Sequence, residues 1–447
     1  MAVHLFGIGR GAHRKSRGAQ GRLRSLGTQL KSPLGSPLSG RRSWGPRPSA
    51  GLAKYVIGAV VVAVVIFVAV QLLRPVPSAA FRSSQAASVH LSGSAPPIPW
   101  PSSGAAAMSV AGVGSIGSAG TTQPVPIASI AKVLAAYVAL QDHPLNPGDQ
   151  GPNITVPADV AAAYQSGVAG GQSEVPVTAG ETLTEYQVLQ GLLIASGNDL
   201  ALLLADWDAG NNTAFVAKMN AAAKTLGLNS THITDPSGLD AGTVSTAPDL
   251  VRLGQAAMAI PIFKQIVAEP SVTLPQAGNI FNFDYDIGHN GFVGIKTGSD
   301  GAAGGCFLFE AQQPVAGTTV TLVGVVLGQT ATPMLTTALN DAKALVQTAF
   351  ANVKALPVVP AGDEVGSVVA PWGATVPVTV TDAPTVLAVP GITLQARVHG
   401  MKLGSSVPSG ARVGTLTIVT PGRTLVVPLR TAAALPGPGV VWRLTHF

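Results

Sequence analysis

Cysteine is almost absent from this 447-residue chain, which contains only Cys306. A single cysteine excludes an internal disulfide framework and a metal site built from several cysteines. Because Cys306 lies in the apolar stretch "GGCFLFEAQ", we expect a small buried side chain in a strand. The eight histidines are scattered, and no two have the spacing of metal ligands. The sequence therefore predicts no metal site.

Charged residues are also scarce, at 11% of the chain, and the first 54 positions contain no acidic residue. The same stretch carries eleven Lys and Arg residues, so it supplies more than the whole net charge of +6. Residues 55–447 hold 16 basic and 21 acidic residues, a net charge of −5. A nucleic-acid-binding protein normally carries its cations on the folded part. The distribution argues against a nucleic-acid partner.

A long hydrophobic run follows the basic stretch. Residues 55–73, "YVIGAVVVAVVIFVAVQLL", are flanked by Lys54 and Arg74, and a helix of this length nearly matches a hydrocarbon core of about 30 Å. We therefore predict a transmembrane helix over 54–74. The positive-inside rule then gives a single-pass cell-membrane protein with a cytoplasmic N-terminus and an extracytoplasmic remainder. A cleaved signal peptide, with small residues near 78–80, is the alternative, which the long basic region disfavours.

The other segments differ in composition. Residues 1–53 are rich in Gly, Ser, Pro and Arg, which predicts a disordered basic cytoplasmic tail. Residues 75–104 predict a Pro/Ser-rich linker. Residues 105–355 mix apolar helical stretches with strand-like runs and predict an α+β domain with an antiparallel sheet. Short β-branched runs separated by Gly and Pro predict a separate small all-β domain over 356–447.

Within the α+β domain, hydrophobic periodicity and capping residues indicate individual elements. The expected elements are a hairpin over 105–120, helices over 129–142, 184–195, 211–228, 246–259 and 332–352, and strands at 292–298, 306–312 and 318–328.

Three short motifs, each occurring once, follow the membrane segment. Ser129 and Lys132 form S-x-x-K in "PIASIAK", Ser196 and Asn198 form S-x-N in "LLIASGNDLALLLA", and K-T-G begins at Lys296. Each motif alone is commonly a helix surface, a turn or a strand end. All three together, in this order and in suitable contexts, are hard to attribute to chance.

Their chemistry suits nucleophilic catalysis. A serine hydroxyl needs a base to remove its proton, and Ser129 and Lys132 share a helix face at i and i+3. Lys132 must be neutral to act as that base, so burial and the nearby charge of Lys296 are expected to lower its pKa. Ser196 can relay a proton to the leaving group, and Asn198 can hold a substrate amide or the lysine.

The K-T-G stretch predicts the substrate-binding side. Lys296 and Thr297 can bind a substrate carboxylate, with Gly298 and Ser299 completing the stretch. Because a tetrahedral intermediate needs two convergent donors, the backbone N–H groups of Ser129 and Ser299 are candidate oxyanion donors.

These motifs and their surroundings resemble the serine D-alanyl-D-alanine carboxypeptidases, the low-molecular-mass penicillin-binding proteins. "PIASIAKVLAAYVAL", "LLIASGNDLALLLAD", "AFVAKMNAAAKTLGLNSTHITDPSGLD" and "GFVGIKTGSDGAAGGC" look like that family's segments in its order. The resemblance covers roughly residues 120–312 well and 313–447 more loosely. It implies a penicillin-binding/β-lactamase-like transpeptidase domain, with helices on an antiparallel sheet.

For the reaction, the resemblance implies that peptidoglycan stem peptides ending in D-Ala-D-Ala acylate Ser129. The last D-alanine leaves, water hydrolyses the acyl-enzyme, β-lactams inhibit, and no cofactor is used. Ala131 stands where the family commonly has threonine, which we expect to be tolerated. The ending "GPGVVWRLTHF" predicts no C-terminal amphipathic membrane helix of the kind the family often has, so the N-terminal segment would replace that anchor.

Three other functions need weighing. A class A β-lactamase usually has S-D-N, where this chain has Gly197, and needs a deacylating glutamate that no persuasive motif supplies. A D,D-endopeptidase acting on cross-links would use the same residues and stays open. A catalytically decayed cell-wall binding protein is the non-enzymatic alternative, and the intact motifs argue against it.

Overall fold

The computed structural model describes residues 50–446, except residue 422. Most of the predicted basic tail, residues 1–49, lies outside the described residues. Among the described residues the helices are, in chain order, α1 (Ala50–Leu73), α2 (Ala131–Asp142), α3 (Ala158–Ala169), α4 (Glu185–Leu193), α5 (Asn198–Ala209), α6 (Asn212–Thr225), α7 (Ala247–Met258), α8 (Pro261–Val267), α9 (Met334–Asn352) and α10 (Val440–Thr445).

The strands of the described residues range from two to twelve residues in length. In chain order they are β1 (Ala80–Ser83), β2 (Ser88–His90), β3 (Ala105–Val110), β4 (Gly114–Gly120), β5 (Val125–Pro126), β6 (Asn153–Thr155), β7 (Thr182–Thr184), β8 (Val244–Ser245), β9 (Ser271–Leu274), β10 (Gly278–Phe281), β11 (Phe292–Asp300), β12 (Gly304–Val315), β13 (Thr318–Gln329), β14 (Lys354–Pro357), β15 (Glu364–Val369), β16 (Thr375–Val380), β17 (Thr385–Ala388), β18 (Thr393–Gly400), β19 (Arg412–Thr420) and β20 (Arg423–Thr431).

The long apolar run forms α1, in which Gly51–Leu73 is long and apolar enough to cross a membrane, with a mean hydropathy of 3.0. The helix begins four residues before the predicted start at Lys54, because a single lysine marks a change of polarity without breaking a helix. It ends at Leu73, since the next residue, Arg74, precedes Pro75 and is disfavoured in helical geometry.

The predicted α+β arrangement is confirmed. β3, β4, β11, β12 and β13 form a five-stranded sheet in the order β11-β12-β13-β3-β4, with every neighbouring pair antiparallel. Along β3, Ala105 and Ala107 join the core shared with α2, α4, α5 and α7, whereas Ala106 and Met108 join the core shared with α9. This alternation puts helices on both faces of the sheet.

Helix α2 lies in the interior, with nine of its twelve residues buried. It is preceded directly by a 3₁₀ turn, Ala128–Ile130, which together with α2 occupies the predicted helix at 129–142. The other expected helices and strands of this region correspond to α4, α6, α7, α9, β11, β12 and β13. Cys306 is fully buried in β12, as predicted.

Residues 75–104 do not form the predicted linker. β1 pairs with β15 and β2 pairs with β18, so both belong to a seven-stranded antiparallel sheet ordered β1-β15-β16-β20-β19-β18-β2. Val89 and Leu91 are buried in the core of that sheet. The prediction was wrong because β1 and β2 are only four and three residues long, and their partner strands lie about 300 residues downstream.

The predicted all-β character of the C-terminal region is confirmed from β14 to β20. It has its own hydrophobic core, to which Val368, Val378 and Leu416 contribute. The region begins at Lys354, two residues before the predicted boundary, and is not separate in sequence, because residues 80–90 supply both edge strands. The final segment contains a six-residue helix, α10, in which Val440 and Val441 are exposed.

Candidate active site

Ser129 and Lys132 come together at the start of α2. Ser129 lies in the 3₁₀ turn and Lys132 in the first turn of the helix, and the Lys132 Nζ donates to the Ser129 Oγ at 2.8 Å. Ser129 is partly exposed, whereas Lys132 has no exposed surface. The hydroxyl is therefore accessible from a cavity while the amine beside it is shielded from water.

Lys132 has three further partners. Its Nζ lies 2.6 Å from the Asn198 Oδ1, 3.2 Å from the Ser237 carbonyl oxygen and 3.5 Å from the Ser196 Oγ. Burial lowers the pKa of Lys132 from 10.5 to about 7, an effect that the carboxylates of Asp235, Glu174 and Asp199 partly oppose. A substantial fraction of this amine is thus neutral near pH 7.

Ser196 and Asn198 are placed by the junction between α4 and α5. Ser196 has a positive φ of 64°, unusual for a residue with a side chain, and Asn198 is the first residue of α5. Both are buried, at 4% and 8% exposure. The turn thus aims two polar side chains at the Lys132 amine, where continuous helix would have spaced them apart.

The K-T-G stretch lies in β11, an edge strand of the five-stranded sheet. Lys296 is 2% exposed and its Nζ donates to the Thr297 carbonyl oxygen at 2.9 Å. Burial, and then the charge of Lys132, hold the pKa of Lys296 well below 10.5. The expected repulsion between the two lysines is thus present, and burial is the first cause of the lowered pKa at both.

The strand passes very close to the nucleophile. A Cβ at Gly298 would lie 2.9 Å from the Ser129 amide nitrogen and 3.2 Å from the Ala128 Cβ. From another side, a Cβ at Gly238 would lie 1.9 Å from the Ala128 carbonyl oxygen. Ala128 itself has a φ of 45°, in the left-handed region that residues with side chains avoid. Close packing against two glycines thus surrounds a strained turn that presents Ser129.

Ser129 opens into a cavity of about 100 Å³. Its lining includes five of the predicted site residues, Ser129, Ser196, Thr297, Gly298 and Ser299, and three others, Ser173, Phe283 and Leu335. Lys132, Asn198 and Lys296 lie behind this lining as buried partners.

The sequence did not indicate the loop around Ser237. Its carbonyl oxygen accepts from Lys132, and the loop borders a second cavity of about 520 Å³ that Asn198 also lines. The string "DPSGLD" ends one of the segments that resemble the family and predicts a bend, but neither signal indicated its contact with Lys132. Ser173, Phe283 and Leu335 carried no signal at all, because their proximity to Ser129 depends on long-range packing.

The sequence of this chain is similar to those of known proteins. The sequence pattern of the D-alanyl-D-alanine carboxypeptidase family matches residues 114–331, a range that contains every predicted site residue. The chain is 44% identical over 196 residues to a D-alanyl-D-alanine carboxypeptidase of Mycobacterium tuberculosis, covering 42% of this chain and 62% of the relative. It is 31% identical over 223 residues to one of a Streptomyces species, covering 46% of this chain and 73% of the relative.

Among solved structures, the Streptomyces DD-transpeptidase has 26% sequence identity to this chain. The matched region covers 58% of this chain and all of the transpeptidase chain, with a TM-score of 0.49. The chain thus spans less than two thirds of the Mycobacterium relative and about three quarters of the Streptomyces one.

Proposed function

This chain belongs to the D-alanyl-D-alanine carboxypeptidase family, and from that premise we propose that it is a membrane-anchored serine D,D-carboxypeptidase. It removes the terminal D-alanine from peptidoglycan stem peptides through an acyl-enzyme on Ser129 and is inhibited by β-lactams. The observation that carries the proposal is the contact of 2.8 Å between the Ser129 Oγ and a fully buried lysine amine whose pKa is lowered to about 7.

Acylation begins with neutral Lys132. The Ser129 Oγ attacks the carbonyl carbon of the penultimate D-alanine while its proton passes to the Lys132 Nζ. The tetrahedral intermediate collapses by breaking the C–N bond, and the leaving amine takes up a proton that the Ser196 hydroxyl relays from Lys132. Asn198 holds the lysine amine in line during both transfers, which its contact of 2.6 Å supports.

The substrate is oriented by β11. Thr297 lines the cavity beside Ser129 and can donate to the terminal carboxylate of the peptide. A bound carboxylate would raise the pKa of the nearby Lys296 and favour its ammonium form, so ligand and charge stabilise each other. The backbone N–H groups of Ser129 and Ser299 are the proposed oxyanion donors, and Gly298 lets the strand come close enough to place them.

Deacylation reverses the same proton path. Water attacks the ester carbonyl carbon, its proton passes to Lys132, and the departing Ser129 oxygen recovers a proton from that amine.

For the membrane, we propose that α1 is a single-pass anchor with the N-terminus in the cytoplasm and the catalytic part outside. The apolar length of Gly51–Leu73 and the eleven cations among the first 54 residues support this topology. Protease protection of an N-terminal tag in sealed cells tests it, since the tag should become accessible only after the membrane is opened.

The test of the proposed activity uses the full chain in detergent with a fluorescent penicillin. Wild type should become covalently labelled and Ser129→Ala should not, whereas Ser166→Ala, a surface serine of α3, should label normally. An unlabelled but folded wild type would overturn the proposal in favour of a decayed binding protein.

The substrate is then identified by product analysis. A pentapeptide ending in D-Ala-D-Ala should release free D-alanine faster than a cross-linked peptide dimer is opened. Faster opening of the dimer would assign the chain to the D,D-endopeptidases, which use the same residues.

A further inference from the structure

The loop that supplies the Ser237 carbonyl oxygen is held by one carboxylate. The Asp235 Oδ2 accepts from the Ser237 N–H and hydroxyl, the Gly238 N–H and the Leu239 N–H. The other oxygen, Oδ1, accepts from the Thr243 hydroxyl at 2.7 Å and from the backbone of Asp240. Six donors converge on this carboxylate, all of them within the segment that follows it.

The same loop contacts Lys132 and the turn that carries Ser129. Its Ser237 carbonyl oxygen accepts from the Lys132 Nζ at 3.2 Å. The next residue, Gly238, packs directly against the Ala128 carbonyl oxygen, one residue before the nucleophile. Thr243, at the far end of the loop, is hydrogen-bonded to the residue before the 3₁₀ turn, because its carbonyl oxygen accepts from the Ile127 N–H.

We propose that Asp235 is a positioning residue, which fixes the Ser237 carbonyl oxygen and thereby holds the Lys132 amine in line with the Ser129 hydroxyl. The proposal rests on the proposed function, because it concerns the proton transfer between those two groups. Asp235 lines the second, larger cavity but not the cavity beside Ser129, and it does not contact the nucleophile. Its hydrogen bonds act through the loop, and its charge acts through space.

The charge has a distinct effect. Asp235 is the strongest of the three carboxylates that raise the Lys132 pKa against the effect of burial, ahead of Glu174 and Asp199. Lys296 is the nearby cation, and its own pKa is lowered by Lys132. Removing the Asp235 charge should therefore lower the pKa of Lys132 further, whereas loss of hydrogen bonds alone would leave that pKa unchanged.

The experiment compares Asp235→Asn with Asp240→Asn in the full chain in detergent. Asp240 is a matched control, because it lies in the same loop, borders the same cavity and carries the same charge, but its carboxylate accepts from Gly242 and does not act on Lys132. The first measurement is the rate of acylation by a fluorescent penicillin as a function of pH. The second is the titration of the Lys132 Cε resonance in ¹³C-lysine-labelled protein, assigned with Lys132→Ala.

For Asp235→Asn we expect an acylation rate lower by about tenfold, because an amide presents its NH₂ to donors that needed an acceptor. Both the acidic limb of the rate profile and the Lys132 titration should move to lower pH, by roughly half a unit to one unit. Asp240→Asn should change neither. A slower rate with both midpoints unmoved, or an equal shift in Asp240→Asn, would overturn the proposal.

A second variant and the resonance titration cover the cases in which Asp235→Asn does not fold or wild type is not acylated. If Asp235→Asn does not fold, Ser237→Ala removes one donor to Asp235 while retaining the carbonyl oxygen and the charge. It should slow acylation several-fold with an unmoved midpoint, and an unchanged rate would refute the role of the loop. If wild type is not acylated, the resonance titration still reports on Asp235, so failure of the proposed function is distinguishable from failure of this inference.

Discussion

Replacing Lys132 by methionine should change stability in a pH-dependent way as well as abolish acylation. In the folded protein the lysine pKa is lowered to about 7 by burial, whereas in the unfolded chain it returns to 10.5. Between these two values the unfolded state binds a proton that the folded state does not. Wild-type stability therefore rises with pH over this window and is lowest, with respect to this group, below pH 7.

The size of the effect follows from the two pKa values. Between about pH 7 and about pH 9.5, the lysine contributes an increase of about 3 kcal/mol to the free energy of unfolding of the wild type. Lys132→Met lacks this contribution, so its stability relative to wild type should fall by the same amount over that range. The methionine also leaves the Asn198 and Ser237 oxygens without their donor. This loss of stability does not depend on pH. It therefore cancels when the stability difference between the variant and wild type is compared at the two pH values.

The assay is denaturant unfolding of the full chain in detergent at both pH values, for wild type, Lys132→Met and Lys224→Met. Lys224 is an exposed residue in the last turn of α6, so its variant should show no pH-dependent difference from wild type. A difference between Lys132→Met and wild type that stays constant with pH would refute the reasoning. It would mean that the amine is solvated or remains charged across this range.

Three further predictions concern other parts of the structure. Because Lys132 must be neutral to act as base, wild-type acylation by penicillin should rise through a midpoint near pH 7, and a flat profile in rapid-mixing labelling would contradict this. Gly298→Ala should slow labelling by at least about tenfold, since its Cβ would approach the Ser129 nitrogen to 2.9 Å and the strand must shift. Gly301→Ala, whose Cβ meets nothing within 4 Å, is its control, and equal labelling of the two variants would remove the steric argument. Leu91→Ala should lower the free energy of unfolding by about 2–4 kcal/mol, because Leu91 is 1% exposed and packs in the core of the C-terminal region. An effect no larger than that of the exposed Ser94→Ala would restore the linker interpretation.

Local sequence patterns correctly predicted many of the helices and strands. The apolar run before Pro75 indicated α1, and hydrophobic periodicity indicated α4, α6, α7 and α9 within a few residues of their bounds. These succeeded because helix formation and strand alternation depend on residues close in sequence. The i, i+3 spacing also placed Ser129 next to Lys132, since one helical turn fixes that geometry.

Such local patterns could not predict contacts between residues that are far apart in the sequence. β1 and β2 could not be recognised from residues 75–104, because their hydrogen-bonding partners are the distant strands β15 and β18. The burial that lowers the Lys132 pKa likewise depends on neighbours from other elements, including Asn198 and Ser237.

The sequence by itself determined the chemical groups of the site, their order along the chain, the membrane-length helix and the alternation of the main strands. Only the tertiary structure decided that Ser129, Ser196 and Thr297 share one cavity and that the Asp235 loop reaches Lys132. The physical reason is the range of the interactions. Local backbone preferences are encoded within one or two turns of chain, whereas burial, electrostatics and close packing arise from residues that folding brings together.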